Sequence, residues 1–460
     1  MVSVSCSLLY CLPFLYLIFP LVSSITIPLS HSYTKQNPSQ DPFQKLNHLV
    51  SASLTRAHYL KNPQTAPTTT STPVFSHHYG AYSISLCFGT PPQTLPFIMD
   101  TGSDFVWFPC TVNYHCKNCS FASSASRISP FIPKRSSSSK IIGCNNPKCS
   151  WIHQTDLQCP ECENSPISRN CSQICPPYLI LYGSGTTGGI ALSETLHLHG
   201  LTVPNFLVGC SVFSSRQPAG IAGFGRGPSS LPSQIGLSKF SYCLLSHKFD
   251  DSAESSSLVL DSEFDSDKKT TALVYTPLLK NPKVEEKPAF SVYYYVGLRR
   301  IIVGGRRVKI PYKYLSPGND GNGGTIIDSG TTFTFMSHEG YEALSNEFIS
   351  QMKNYERAET VEDLSGLKPC FNVSGVMKVE FPELKLHFKG GTEVLLPVEN
   401  YFALVGDREV ACLTVVTDVV EGAEAAKGPG IILGNFLMQN FLVEYDLRNE
   451  RLGFRRESCK

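Results

Sequence analysis

Two aspartates of this chain stand in matching surroundings. Residues 98–103 read Ile-Met-Asp-Thr-Gly-Ser, and residues 326–331 read Ile-Ile-Asp-Ser-Gly-Thr. With average residue usage, an Asp-[Ser/Thr]-Gly-[Ser/Thr] tetrad arises by chance in only roughly a few per cent of chains this long. Two copies behind apolar pairs therefore point to one chemical device used twice. If the segments face each other about a two-fold axis, Asp100 meets Asp328 in the cleft between them. Gly102 and Gly330 lack a Cβ and let the two backbones approach closely. Thr101 and Ser329 can bond across to the opposite loop, while Ser103 and Thr331 can bond the outer carboxylate oxygens. Two carboxyls that close cannot both ionise, so one proton affinity falls and the other rises until the pair shares a proton. One member can then act as base toward a water attacking a carbonyl, which the protonated member polarises. Such a pair supports peptide hydrolysis with neither metal nor covalent intermediate.

Those loops need a rigid frame, and the residues beyond Val74 supply mostly short β-rich runs. Examples are "AYSISLCFG", "TLHLHGLTV", "SVYYYVGLRRIIVGG" and "FLVEYDL", separated by Gly, Pro, Ser and Asn. An all-β architecture with occasional helices is expected. The clearest helix starts near Ser337, with Tyr341, Leu344, Phe348 and Met352 on one packing face. The repeat extends past the tetrads, since an apolar pair precedes Gly223 in "GIAGFG" and another precedes Gly434 in "GIILGN". Two copies of one β-rich unit follow from that order. The polar stretch from His247 to Lys269 places a lobe boundary near residues 262–285.

The amino-terminal residues have a different character. Leu8 to Val22 is an apolar run followed by Ser23 and Ser24, the pattern of a signal peptide without the usual positive start. An uncleaved membrane anchor is the alternative. No second apolar run of spanning length follows, so the mature chain is expected to be soluble. Asp41 to Asn62 sets Phe43, Leu46, Leu49, Val50, Leu54, Ala57 and Leu60 near a 3.6-residue period, with Lys45, Arg56 and Lys61 among the polar positions. The Thr/Pro-rich residues 63–73 then read as an exposed linker. Signal, basic helix and cleavable linker are the order of a secreted zymogen, with processing expected between about Asn62 and His78. In that reading the three basic residues help to hold the helix over an acidic cleft, and acid releases it. An ordinary surface helix is the other reading of the same pattern.

Net charge is +1 with 17% charged residues, which gives no basic field for nucleic acid. Of the 17 cysteines, 15 remain once Cys6 and Cys11 leave with the signal, and ten lie between Cys87 and Cys175. That density suits disulfide staples in an oxidising compartment. Cys116 with Cys119 and Cys159 with Cys162 can also be read as a zinc ribbon, although their separation is outside the usual spacing. An odd total leaves one thiol unpaired, and Cys87 looks like a buried strand residue.

Taken together, these motifs resemble the pepsin-like aspartic proteases, and within them the cysteine-rich plant branch typified by nepenthesin. The resemblance covers roughly residues 78–459. It rests on "GTPPQTLPFIMDTGSDFVWFPC", "LYGSGTTGG", "GIAGFGRGPSSLPSQ", "KFSYCL", "GGTIIDSGTTFTF" and "IILGNF". It implies an all-β, bilobal pepsin-like fold with two pseudo-two-fold-related lobes and a few short helices. The expected organisation is a signal at 1–24, propeptide and linker at 25–75, an N-terminal lobe with a cysteine-rich insert at 76–275, and a C-terminal lobe at 276–460. Asp100 and Asp328 become the catalytic pair of an acid-active endopeptidase. Tyr182 becomes the tyrosine of a flap that also includes Gly183 and Ser184, held by the Trp107 indole, and Cys370 pairs with Cys412. Ser184 departs from the plant branch, where an Asp is common, and Cys159 with Cys162 is an extra pair. The expected protein is a secreted monomer acting on polypeptides, without metal or cofactor, bound for the extracellular space or cell wall, with the vacuole as alternative.

Other readings compete. A catalytically inactive binding or inhibitor protein on the same fold is the strongest, although both Asp residues and both supporting hydroxyls are intact. A serine protease reading of "DSG" at Ser329 lacks a partnered His motif, and a glycosidase would not need the duplicated hydroxyl-and-glycine cradle. The turn "GFGRG" lacks the rest of a nucleotide fingerprint. "SHEGYE" lacks the second His of a zinc protease helix, and His197 and His199 alternate on a strand without requiring metal. Asn118, Asn170 and Asn372 head glycosylation sequons.

Overall fold

In the computed structural model, residues 24–31, 41–63, 80–117, 119, 129–153, 157–163, 172–182, 185–216, 219–246, 255–261, 272–285, 287–406, 409–418 and 427–459 are described. Residues 1–23, which include the apolar run read as a signal, and 64–73 of the Thr/Pro-rich stretch, with Asn118, Asn170, Gly183 and Ser184, lie outside them. The chain begins with β1 (Ser24–His31) and α1 (Pro42–Lys61). In β1, Ile25, Ile27 and Leu29 alternate inward, the period of a strand with one buried face. Asp41 caps α1 by accepting the Phe43 N–H at 3.1 Å, and Pro42 fits the first turn.

The next strands are β2 (Tyr82–Phe88), β3 (Gln93–Asp100), β4 (Trp107–Pro109), β5 (Tyr178–Tyr182), β6 (Gly185–Leu198) and β7 (Leu201–Ser215). β8 (Gly220–Gly223), β9 (Lys239–Cys243), β10 (Ser255–Asp261) and β11 (Val274–Pro277) follow. Further along come β12 (Tyr294–Val296), β13 (Thr325–Ile327), β14 (Thr334–Met336), α2 (His338–Gln351) and α3 (Glu359–Ser365). The last labelled strands are β15 (Val415–Val416), β16 (Ile431–Leu433), β17 (Phe441–Asp446) and β18 (Arg451–Arg456).

The duplication is visible in strand order. One sheet contains the path β2-β3-β8-β4-β7, and a second has the order β12-β13-β16-β14-β15. In both, the strand entering the Asp loop is antiparallel to its predecessor and parallel to the strand of the later apolar pair. The strand leaving the Asp loop is antiparallel to that later strand on its other side. A fifteen-stranded sheet joins the halves, running β11-β18-β17-β9-β10-β1-β2 before it enters the first path. β1 is interior to it, antiparallel to β10 along seven residue pairs and to β2 along two. The amino-terminal segment therefore contributes a sheet strand as well as a helix.

Disulfides secure the periphery. Cys116–Cys119, Cys144–Cys159 and Cys149–Cys175 close within the cysteine-rich insert, and Cys162 is also disulfide-bonded. Cys110 instead reaches Cys210 on β7, and Cys243 reaches Cys459. Cys370 bonds Cys412 directly across two paired strands. The zinc-ribbon reading fails on this pairing, because Cys116 and Cys119 hold each other and Cys159 holds Cys144. Cys87 is free but only half-buried, with its sulfur 3.2 Å from the Thr94 hydroxyl. Replacing Cys243 and Cys459 together by Ser is expected to cost about 2–5 kcal/mol, read as a lower urea midpoint with the cut end of β9 loosened first. An unchanged midpoint would show that β17, which pairs with β9, already fixes this edge.

Candidate active site

Asp100 ends β3, and Asp328 follows β13. The Asp100 carbonyl accepts the Phe224 N–H at 2.7 Å, and the Asp328 N–H donates to the Leu433 carbonyl at 3.0 Å. The strand pairs β3/β8 and β13/β16 thus fix the two turns. The turns then grip one another: the Thr101 N–H donates to Ser329 Oγ at 3.1 Å, and the Ser329 N–H donates to Thr101 Oγ1 at 2.8 Å. A Cβ on Gly102 would lie 2.7 Å from Asp328 Oδ1, and one on Gly330 2.5 Å from Asp100 Oδ1, so each carboxyl touches the glycine of the opposite loop. Ser103 Oγ donates to Asp100 Oδ2 and Thr331 Oγ1 to Asp328 Oδ2, both at 2.6 Å. The Gly102 and Gly330 N–H groups donate to the other oxygens at 3.0 and 2.9 Å. Both aspartates are buried, at 2% and 0% exposure.

Tyr182 ends β5 and is buried, and its hydroxyl accepts the Trp107 indole N–H at 3.0 Å. Burial pushes the Tyr182 hydroxyl well above its ordinary pKa, so it stays protonated. β5 pairs antiparallel with β6, from Tyr178 opposite Gly189 to Tyr182 opposite Gly185. Cys370 and Cys412 belong to the apolar cluster beneath α1, while Asn372 is exposed at the far end of that strand pair. Among the described residues, one group of metal-ligating types converges, Cys149 with His153 and Cys175, and its two sulfurs are bonded to each other.

The cleft is filled by α1. Leu46, Leu49, Val50, Ala57 and Leu60 pack with Phe290, Tyr293, Phe333 and Phe335. Arg56 Nη2 donates to Asp100 Oδ1 at 2.7 Å, and Arg56 Nε donates to Asp328 Oδ2 at 3.1 Å. Lys61 Nζ donates to Asp418 Oδ2 at 3.1 Å, where His58 Nε2 stands 3.8 Å away. Tyr59 packs against the Tyr182 ring at 6.3 Å between centroids. Arg56 and Lys61, which the helical period assigns to polar positions, are thus among the most enclosed side chains of α1.

Charge in the cleft is coupled. Burial alone would lower the Arg56 proton affinity, but Asp100 and Asp328 outweigh it, and the guanidinium is held charged more firmly than usual. Burial raises both aspartates. For Asp328, Arg56, the Thr331 hydroxyl and the Gly330 N–H reverse the effect and hold it below its ordinary value. Asp100 stays above, because burial and the neighbouring Asp328 exceed the pull of Arg56 and Ser103.

Several contributors escape the sequence patterns. The Asp104 carboxylate accepts the Gly227 N–H at 3.0 Å, burial pushes it up to about 7, and the turn "GFGRG" is the shelf it supports. Asn435 Nδ2 donates to the Gly80 and Ser329 carbonyls at 2.6 and 2.9 Å. Its place after Gly434, mirroring Phe224 after Gly223, is the signal that could have singled it out.

Two β units of identical strand order, meeting at paired Asp loops, define a bilobal pepsin-like acid-protease fold. Family models described as xylanase inhibitor N-terminal and xylanase inhibitor C-terminal match residues 82–260 and 293–456. A probable aspartyl protease of Arabidopsis thaliana is 34% identical, covering 82% of each chain. Aspartic proteinase nepenthesin-1 of Nepenthes gracilis is 32% identical over 95% of this chain and 91% of its own. Among solved structures, edgp superposes with a TM-score of 0.64 at 21% identity, covering 95% of both chains. Soybean basic 7S globulin gives 0.62 at 18% identity, covering 95% of this chain and 97% of its own. The chain belongs to the pepsin-like aspartic protease family, in the branch that holds the nepenthesins and the xylanase-inhibitor domains.

Proposed function

We propose that the chain is the precursor of a secreted aspartic endopeptidase. Residues 1–24 are its signal, 25–75 its propeptide and linker, and 76–275 and 276–460 its two lobes. Asp100 and Asp328 are the catalytic pair, Thr101, Gly102, Ser103, Ser329, Gly330 and Thr331 hold them, and Tyr182 with Gly183 and Ser184 closes over a polypeptide. The observation that carries this reading is Arg56, whose guanidinium bridges both carboxyls of a fully supported dyad from a helix joined to the body by a linker. A buried cation so placed keeps a hydrolytic pair silent until the helix departs.

Once α1 leaves, burial and mutual repulsion favour one shared proton on the pair. Aspartic-protease dyads are the type case of that effect. The ionised carboxyl takes a proton from a water whose oxygen attacks the peptide carbonyl carbon, and the protonated one gives its proton to the carbonyl oxygen. Collapse of the resulting diol returns a proton to the leaving nitrogen and restores the pair. Ser103 and Thr331 hold one oxygen of each carboxyl and so aim the others. As a secreted monomer it would carry glycans at Asn118, Asn170 and Asn372, and its destination would be extracellular space, cell wall or vacuole. Among the described residues no helix is long and apolar enough to cross a membrane.

The xylanase-inhibitor description of the family models favours a second reading, a catalytically inactive binding protein. One experiment separates them: acid-treated protein is incubated with a denatured protein substrate across pH, with and without pepstatin. The protease reading expects cleavage that peaks in acid, falls toward neutrality as the shared proton is lost, and stops with inhibitor. No cleavage at any pH supports the binding protein.

A further inference from the structure

We propose that the cleft contains an acidic subsite for a lysine or arginine side chain of the substrate, formed by Asp418 and Phe335 and filled by Lys61 while α1 is docked. This rests on the endopeptidase reading and adds a substrate class to it. Lys61 is only 5% exposed, and an ammonium is costly to bury unless its seat returns the lost hydration. The seat has two parts. Asp418 Oδ2 accepts from Lys61 Nζ at 3.1 Å, and the Phe335 ring lies 4.9 Å from the same nitrogen, within cation–π range.

Both parts belong to the body of the protein. Phe335 is on β14, which pairs in parallel with β15 through Phe335 and Val416, and Asp418 stands two residues beyond β15. Departure of α1 therefore removes the occupant and leaves the seat. The wall is also shaped for a main chain, since a Cβ on Gly428 would lie 2.5 Å from the Lys61 Cα and carbonyl oxygen. With α1 docked Asp418 is 7% exposed, and its Oδ1 has no hydrogen-bond partner among the described residues. Without α1, Oδ2 loses Lys61 as well and the neighbouring His58 departs. A substrate cation restores the pair, whereas an apolar side chain covers the carboxylate and leaves it unpaired. The open Oδ1 additionally suits the two-pronged geometry of arginine.

The position relative to the dyad follows from helix geometry. Lys61 is five residues after Arg56, about 7.5 Å along the axis, and an extended substrate covers that in about two residues. The preferred basic residue is therefore about two positions from the cleaved bond.

The test uses the acid-treated full-length protein and one peptide sequence in which lysine or norleucine is placed in turn at each of about three positions on either side of the bond. The readout is the lysine-to-norleucine ratio of kcat/KM, with calorimetric binding of the same peptides alongside. One position about two residues from the bond should favour lysine by about tenfold or more. That ratio should collapse toward unity in Asp418→Asn and survive in Asp418→Glu. Cleavage with no position favouring lysine, or a preference untouched in Asp418→Asn, overturns the subsite and leaves the protease reading standing. If the parent cleaves nothing, the protease reading falls. Calorimetry then decides: lysine discrimination that depends on Asp418 supports the subsite on a binding protein, and its absence overturns it.

Discussion

Asp100→Asn and Asp328→Asn should each abolish hydrolysis while leaving the fold in place. Asparagine keeps the volume and one acceptor oxygen of the carboxyl it replaces. The new amide would face either the Gly102 or Gly330 N–H, or the Ser103 or Thr331 hydroxyl. A hydroxyl can rotate to accept, so once α1 and its Arg56 have left the cleft the second orientation is satisfied without strain. The shared proton cannot be recovered in this way, because an amide neither takes a proton from water nor gives one to a carbonyl at working pH. Turnover of either variant should be below about a hundredth of the parent's, and the double variant should be little worse, since the residues act as one unit. The measurement is cleavage of denatured protein in acid by parent, both single variants and the double variant, with circular dichroism as the fold control. A folded Asn variant retaining more than that hundredth contradicts the dyad mechanism.

The second large effect belongs to Arg56. Arg56→Met keeps most of the aliphatic stem but leaves two buried carboxyls facing an apolar side chain. Breaking a buried pair from one side costs about 3–5 kcal/mol, so the equilibrium constant for docking of α1 should fall by more than about a hundredfold. Acid should do to the parent what the substitution does at neutral pH. Asp328 is held below its ordinary value in the docked state, chiefly because Arg56 opposes the effect of burial. A group whose proton affinity is depressed by docking favours docking above the ordinary carboxylate range and withdraws that support as pH falls. Asp100 works against this, because burial and Asp328 leave its proton affinity raised despite Arg56, so its own protonation favours docking in acid. His58 adds to the effect: burial lowers its proton affinity more than Asp418 restores it, with Lys61 also lowering it, so its protonation disfavours docking. Tyr59, pushed up to about 12 by burial, does not titrate here. Hydrogen exchange of the α1 amides across pH reads the outcome. Parent amides should be protected at neutral pH and exposed in acid, with Arg56→Met exposed at both. Full protection of that variant at neutral pH would mean that apolar packing alone holds α1.

The site was legible where its chemistry is local. The paired tetrads announce both carboxyls, both glycines and the Ser103 and Thr331 hydroxyls, because each supports an aspartate no more than three residues away, and they also supply the Thr101 and Ser329 hydroxyls that bond the opposite loop. The helical period of α1 was equally plain. Its period counts Arg56 and Lys61 as polar positions, and the zymogen reading sets them over an acidic cleft; which carboxylates they reach was not legible, because those lie 44, 272 and 357 residues away. β1 went unread for the same reason. Ile25, Ile27 and Leu29 alternate as a strand should, but their partner is more than 200 residues downstream and the apolar leader ends beside them. Cys110–Cys210 and Cys243–Cys459 close loops of 100 and 216 residues, and no spacing rule reaches that far. Asp418 looks like a polar break in "VVTDVV" until Lys61 is seen on it.

The interior position of β1 bears on how long a processed molecule would last. A cut between α1 and β2 leaves β10 bonded to a strand no longer joined to it by that stretch of chain. If the strand diffuses away, seven residues of β10 become an open edge in the sheet that joins the two halves. The remaining polypeptide would then be a product whose folding instructions have partly been discarded. Its survival would depend on the height of the barrier to unfolding, with no route back once that barrier is crossed. Activation by cutting would in this way set a lifetime as well as release an activity.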